Sequence, residues 1–177
     1  MESISHQSHT SITGSVLLKE TDQFGDENKI EIGGLNSSSL AFRLDNEEFP
    51  QLSQLLRVET ENINKKCDFV LFTEYKGRKC IILIEMKSSR EGDYETQLKN
   101  GELFLKYIIS LIDFNNEGAA PNLQYIPVLI AKSRRTLKRP TDRPYKAEKG
   151  KRIYDKIMVG NYNIKKINIS KIIDNFF

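Results

Sequence analysis

The stretch CDFVLFTEYKGRKCIILIEMK, residues 67–87, sets the architecture of the chain. Two runs rich in β-branched and aromatic residues, 67–75 and 78–87, flank the dipeptide Lys76-Gly77. That pattern predicts two strands joined by a tight hairpin. A two-residue loop pairs Tyr75 with Arg78, and a four-residue loop pairs Glu74 with Lys79. Both loops give the same register. Carried to the open end, it sets Asp68 opposite Glu85, with Cβ atoms about 5 Å apart. Side chains alternate along a strand, so Lys87 projects from the same face as Glu85. That face holds Val70, Phe72, Ile81 and Leu83, and ends in an Asp, a Glu and a Lys.

Two carboxylates so close repel, and the repulsion grows beside an apolar core. A divalent cation between them relieves it. Mg²⁺ is commonly held by one or two carboxylates together with water and phosphate oxygens. The main-chain carbonyl of Met86 is a further candidate oxygen ligand. Lys87 stands where it could orient or deprotonate a water, or neutralise a phosphate. These parts suffice for phosphodiester hydrolysis. The competing reading is a salt-bridge cluster at the open end of a sheet, since a lone Glu-x-Lys has little specificity. The register carries the distinction: a one-residue slip would send Asp68 and Glu85 to opposite faces.

The order is CDFVLF, a hairpin, IILIEMK, then YETQLKNGELFLKY. An Asp opening one strand, a Glu-x-Lys closing the next and a helix after it resemble the PD-(D/E)XK, or restriction-endonuclease-like, nuclease superfamily. The resemblance spans about residues 45–131. It implies a metal-dependent nuclease in which Asp68 and Glu85 hold Mg²⁺ or Mn²⁺ and Lys87 is the catalytic lysine. Members often carry a Gln at the start of the following helix, which Gln97 matches. They often add an acidic residue from an earlier helix. Glu47, Glu48, Glu59 and Glu61 are candidates that the sequence does not separate. The Pro of the signature is replaced by Cys67. The resemblance further implies a nucleic-acid substrate, DNA more than RNA, and a role in restriction, anti-phage defence or repair. The small size fits a homodimer or a subunit of a larger assembly.

Around this centre the expected fold class is α/β (α+β). A central mixed sheet carries the antiparallel active-site hairpin and is flanked by helices. SVLLKE (15–20), KIEIGG (29–34) and SLAFRL (39–44) read as short strands separated by turn-rich GDEN and GLNSS. Gly33 and Gly34 argue for a turn, since no phosphate-loop pattern follows them. Asp45 or Asn46 caps a helix carrying Phe49, Leu52, Leu55 and Leu56. A long helix is expected from about Gly92 to Asp113, with Tyr94, Leu98, Leu105, Ile108 and Ile112 on one side. Gly101 lies in that stripe and would let the helix approach a sheet closely. LQYIPVLIA (123–131) is a strand in which Pro127 argues for an edge or a bulge. YNIKKINI (162–169) alternates, and a short helix follows from Ser170.

The organisation is a loose polar tail over residues 1–13 and a single domain over 14–177, of which 132–152 form a basic loop. The net charge of +3 hides an asymmetry. Residues 1–50 hold Lys19, Lys29 and Arg43 against nine acidic side chains, whereas residues 132–152 hold ten basic ones against Asp142 and Glu148. That density points to a polyanionic partner. Lys132, Arg134, Arg135, Lys138 and Arg139 are the expected phosphate contacts. Apolar residues make up 38%, and the apolar runs are far too short for a membrane helix. Cys67 and Cys80 read as small buried hydrophobes, Cys67 on the face opposite Asp68. With neither a disulfide framework nor a signal-peptide pattern, a cytoplasmic location is expected. Two other function classes remain in play: a nucleic-acid-binding module that keeps the fold without cutting, and a protein-assembly domain.

Overall fold

The computed structural model describes residues 2–3, 10–21, 27–45, 64–87, 93–116, 122–132, 155–159 and 165–177. Strands β1 (Glu2–Ser3), β2 (Thr10–Thr21) and β3 (Glu27–Arg43) come first, followed by β4 (Phe69–Tyr75) and β5 (Arg78–Lys87). Helix α1 (Tyr94–Asn115) leads to β6 (Leu123–Lys132), β7 (Asp155–Val159), β8 (Lys165–Asn168) and helix α2 (Ile169–Asp174). Among the described residues, the eight strands form one mixed sheet in the order β1-β2-β3-β4-β5-β6-β7, with β8 paired to β3. The α+β class with a mixed sheet and flanking helices is as the sequence predicts.

The β4–β5 hairpin has the expected register: Tyr75 pairs with Arg78, Glu74 with Lys79 and Phe69 with Ile84. Lys76 and Gly77 make the turn, both at positive φ (51° and 74°). That conformation matches the right-handed twist of the flanking strands. β5 is buried from Cys80 through Met86. It lies between antiparallel β4 and parallel β6. A strand covered on both faces reads as an unbroken apolar run, which is what CIILI is.

Three expectations are corrected. KIEIGG and SLAFRL are not separate strands; both belong to β3, which runs straight through GLNSS. Gly14 pairs with Leu35 and Ser15 with Gly33. Gly34, at φ +81°, is left over as a bulge. A left-handed glycine lets the strand bend and continue where a turn was expected. β3 therefore borders three strands: β2 along its length, β8 beside Ile30–Gly33 and β4 beside Leu40–Arg43. Second, the segment expected as a loose tail supplies β1 and the first residues of β2. Third, Cys67 faces α1, on the Asp68 side of the sheet. It precedes the first paired residue, Phe69, so strand alternation does not reach it. The helix expected from Asp45 lies outside the described residues.

The two helices cover opposite faces. Ile82, Ile84 and Met86 join Val16, Ile32 and the α2 residues Ile169, Ile172 and Ile173 in one apolar layer. Val70, Ile81 and Leu83 pack under Tyr94, Leu98 and Leu105 of α1 in the other. Each such buried side chain contributes about 1.5–3 kcal/mol. Gly101 is the point of closest approach. A Cβ there would stand 2.8 Å from Cys67 Sγ and 3.1 Å from Leu83 Cδ2. Ile112, the last residue of the expected stripe, is 47% exposed because the helix outruns the sheet. Pro127 pairs with Leu83 of β5, one residue before the β6–β7 ladder begins at Val128. Its missing N–H thus costs no bond to β7.

Candidate active site

The strand ends position the site. The Leu44 amide donates to the Asp68 carbonyl at 2.9 Å, which carries the β3–β4 pairing one step past its last ladder pair. Asp68 is thereby fixed at the mouth of β4, and the residue is 4% exposed. Asp68 Oδ2 accepts the Met86 amide at 2.6 Å. Glu85, one residue earlier on β5, is fully buried. Lys87 Nζ forms an ion pair with Glu85 Oε1. It also donates to Gln97 Oε1 at 3.1 Å. Gln97 Nε2 in turn donates to the Lys66 carbonyl at 3.2 Å. Gln97 lies in the first turn of α1, so the helix ties Lys87 to the strand that delivers Asp68. Asp68, Glu85, Lys87 and Gln97 therefore stand together.

Electrostatics mark the cluster as costly. Burial pushes the Asp68 carboxyl up to about 6, against the opposing pull of the Met86 amide and the Lys87 charge. Burial, and then the charge of Asp68, push Glu85 up to about 8, while Lys87 draws it down. For Lys87, burial is the largest influence and lowers its pKa. The contact with Glu85 and the charges of Glu85, Asp68 and Glu20 outweigh it, so the net shift is upward. Glu85 Oε2 is enclosed without a hydrogen-bond partner among the described residues. A buried carboxylate oxygen left this way is expensive unless a cation completes it.

The donor set fits a hard divalent ion. Asp68 and Glu85 offer carboxylate oxygens from one side of the sheet. An extended residue presents its N–H and C=O on the same strand edge. The Met86 carbonyl thus shares the edge on which its amide meets Asp68, while its side chain is buried in the layer on the other face. Among the described residues, no group of three or more His, Cys, Asp or Glu converges as a metal site. The fit is that of a two-carboxylate site, of the kind Mg²⁺ accepts while keeping several waters.

Three charged neighbours escape a motif-based reading. Glu20, at the end of β2, acts through its charge on both Glu85 and Lys87. Asp45 and Arg43, at the end of β3, act in opposite senses on Asp68. Only the path of the long β2–β3 hairpin brings Glu20 here, and no local pattern announces it. Glu47, Glu48, Glu59 and Glu61 lie outside the described residues. Lys132 is the last residue of β6. Arg134, Arg135, Lys138 and Arg139 also lie outside the described residues. No helix among the described residues is long and apolar enough to cross a membrane. No family model, curated protein or solved structure matches the chain.

Proposed function

We propose that the chain is a metal-dependent nuclease with a restriction-endonuclease-like core, hydrolysing phosphodiester bonds of nucleic acid, DNA more than RNA. One observation carries the reading: the buried Glu85 carboxylate, with an uncompleted oxygen, stands beside Asp68 and Lys87 at the open end of a hairpin. Asp68 and Glu85, with the Met86 carbonyl, would hold Mg²⁺ or Mn²⁺. Bound there, the ion would supply Lewis-acid charge to the scissile phosphate. The upward shift of Lys87 keeps it an ammonium at neutral pH. It would therefore act as a positioned charge on the phosphate and the attacking water, and not as a resting base. Gln97 is a positioning residue, because it holds the Lys87 ammonium from the helix side. Phosphate contacts away from the chemistry fall to Lys132, Arg134, Arg135, Lys138 and Arg139, which register the substrate without reading bases. Restriction, anti-phage defence or repair in the cytoplasm are the settings such an activity would serve.

A second reading is an inactive nucleic-acid-binding or assembly module of the same fold. It is favoured by the ion pair that already engages Lys87 with Glu85. An assay on single- and double-stranded DNA and RNA, with Mg²⁺, Mn²⁺ or EDTA, separates the two. Cleavage that needs the metal and disappears in Lys87→Ala supports the nuclease. Binding with no cleavage under any metal supports the module.

A further inference from the structure

Six large apolar side chains are exposed among the described residues, and four of them make a single stripe on α1. Leu103 is 54% exposed, Tyr107 60%, Leu111 42% and Phe114 85%. The buried side of the same helix is Tyr94, Leu98, Gly101 and Leu105. At 100° per residue the two sets lie on opposite sides of the helix. The stripe therefore points away from the core formed by the described residues. Leu103, Tyr107, Ser110 and Phe114 follow the four-three-four spacing of a coiled-coil seam.

We propose that this stripe is the contact between two copies of the chain, with the α1 helices packed antiparallel about a two-fold axis near Ile108 and Ile109. Self-complementarity selects the occupant. In that register Leu103 meets Phe114 of the second copy, and Tyr107 meets Ser110. On one flank Phe104, partly buried against the core, meets Leu111. On the other flank Lys106 meets Asp113, and symmetry repeats every contact. Opposite charges facing each other across the seam favour antiparallel over parallel pairing, which would set Lys106 beside Leu111 and leave it without an acidic partner across the seam. Lys106 is held for this role by Glu102 and the face of Tyr125 on its own chain.

The exposed parts of the four side chains amount to on the order of 400 Å² per copy, about half of a standard interface. The dimer should therefore be weak and concentration-dependent. α1 also carries Gln97 at its other end, beyond the seam residues.

Sedimentation equilibrium of the full chain from micromolar to millimolar concentration, without metal or nucleic acid, tests the proposal independently of any nuclease activity. A reversible monomer–dimer equilibrium is expected. Phe114→Glu and Leu103→Glu should each weaken it at least tenfold, with far-ultraviolet circular dichroism unchanged. Asp113→Lys should weaken it, and adding Lys106→Glu should restore part of the loss. A strictly monomeric wild type overturns the proposal. So does a dimer indifferent to Phe114→Glu, which would place the contact on another face. A charge swap without rescue overturns the antiparallel register.

Discussion

The Asp68 carboxylate takes the Met86 amide as a hydrogen-bond donor at 2.6 Å, just beyond the last rung of the β4–β5 ladder. The bond replaces a main-chain partner with a side chain, so the hairpin ends in an acid where a backbone carbonyl would otherwise stand. It also makes Asp68 structural as well as chemical. Asp68→Ala would leave a buried amide unpaired at a cost of about 1–3 kcal/mol. That loss opposes the stability gained by removing carboxylate repulsion. Asp68→Asn keeps an acceptor for Met86 and removes the charge. The Asn variant should therefore melt higher than wild type in EDTA, and the Ala variant lower than the Asn variant. Thermal melts of the three proteins in one buffer give the order.

Metal should stabilise the wild type. Mg²⁺ or Mn²⁺ at about 100 times its Kd would add roughly 2.7 kcal/mol by mass action. The shift should vanish in Asp68→Asn and reverse on chelation in the wild type. A melting shift of equal size in the Asn variant would place the ion elsewhere.

The pH dependence without metal has a defined sign. Asp68 and Glu85 sit at about 6 and about 8 in the folded chain, above their unfolded values. Raised acids favour the folded state below their unfolded pKa, and that contribution is lost as pH climbs through the folded one. Stability should therefore fall from about pH 4 to pH 8, by several kcal/mol on the order implied by shifts of this size. Glu85→Gln should remove the upper part of that slope. Denaturant melts at half-unit pH steps in EDTA would show it, and a flat wild-type profile would contradict the buried-acid description.

Lys87 and Gln97 should separate kinetically. Lys87→Ala is expected to abolish cleavage while sparing nucleic-acid affinity. Gln97→Ala is expected to lower kcat by about tenfold to a hundredfold with little change in KM, because it only holds the ammonium in place. Equal loss in kcat and affinity for Gln97→Ala would make it a substrate contact.

Gly101→Ala tests the depth at which α1 is seated. The new Cβ would meet Cys67 Sγ and Leu83 Cδ2. Overpacking of this kind costs about 1–3 kcal/mol, offset in part by the roughly 0.5–1 kcal/mol that Ala gains over Gly in a helix. A net loss is expected, and Cys67→Ala in the same chain should recover part of it. Additive effects in that double-mutant cycle would mean the two sites do not touch.

Much of the centre is legible in residues 67–87, because a short turn and a period of two fix both register and face. That is why Asp68, Glu85 and Lys87 can be brought together without coordinates. The long helix and the seat of Gly101 are legible for a similar reason, since the period of 3.6 marks the buried stripe. What is not legible depends on bends. A glycine pair reads as a turn, yet Gly34 is a bulge inside a continuous strand, a choice made by the length of β2 available to pair. Cys67 falls on an unexpected side because alternation begins only at the first ladder pair. Glu20 reaches the site by the path of a hairpin more than sixty positions upstream of Glu85 in the chain. Five-residue β7, DKIMV, is too short and too mixed in character to stand out as a strand.

The pairing of β8 with β3 has a kinetic consequence. Ile30 lies beside Lys165, and Gly33 beside Asn168, so the contact closes residues 30–165 into one loop. During synthesis the edge of β3 that β8 will cover stands bare until Lys165–Asn168 emerge. Long-range parallel pairing is slow, because the entropy of closure precedes the reward. Newly made chains thus pass through a stage with an open strand edge, when chaperones or aggregation compete for it. A single late event, the docking of Lys165–Asn168 with the small helix behind it, brings that vulnerable interval to a close.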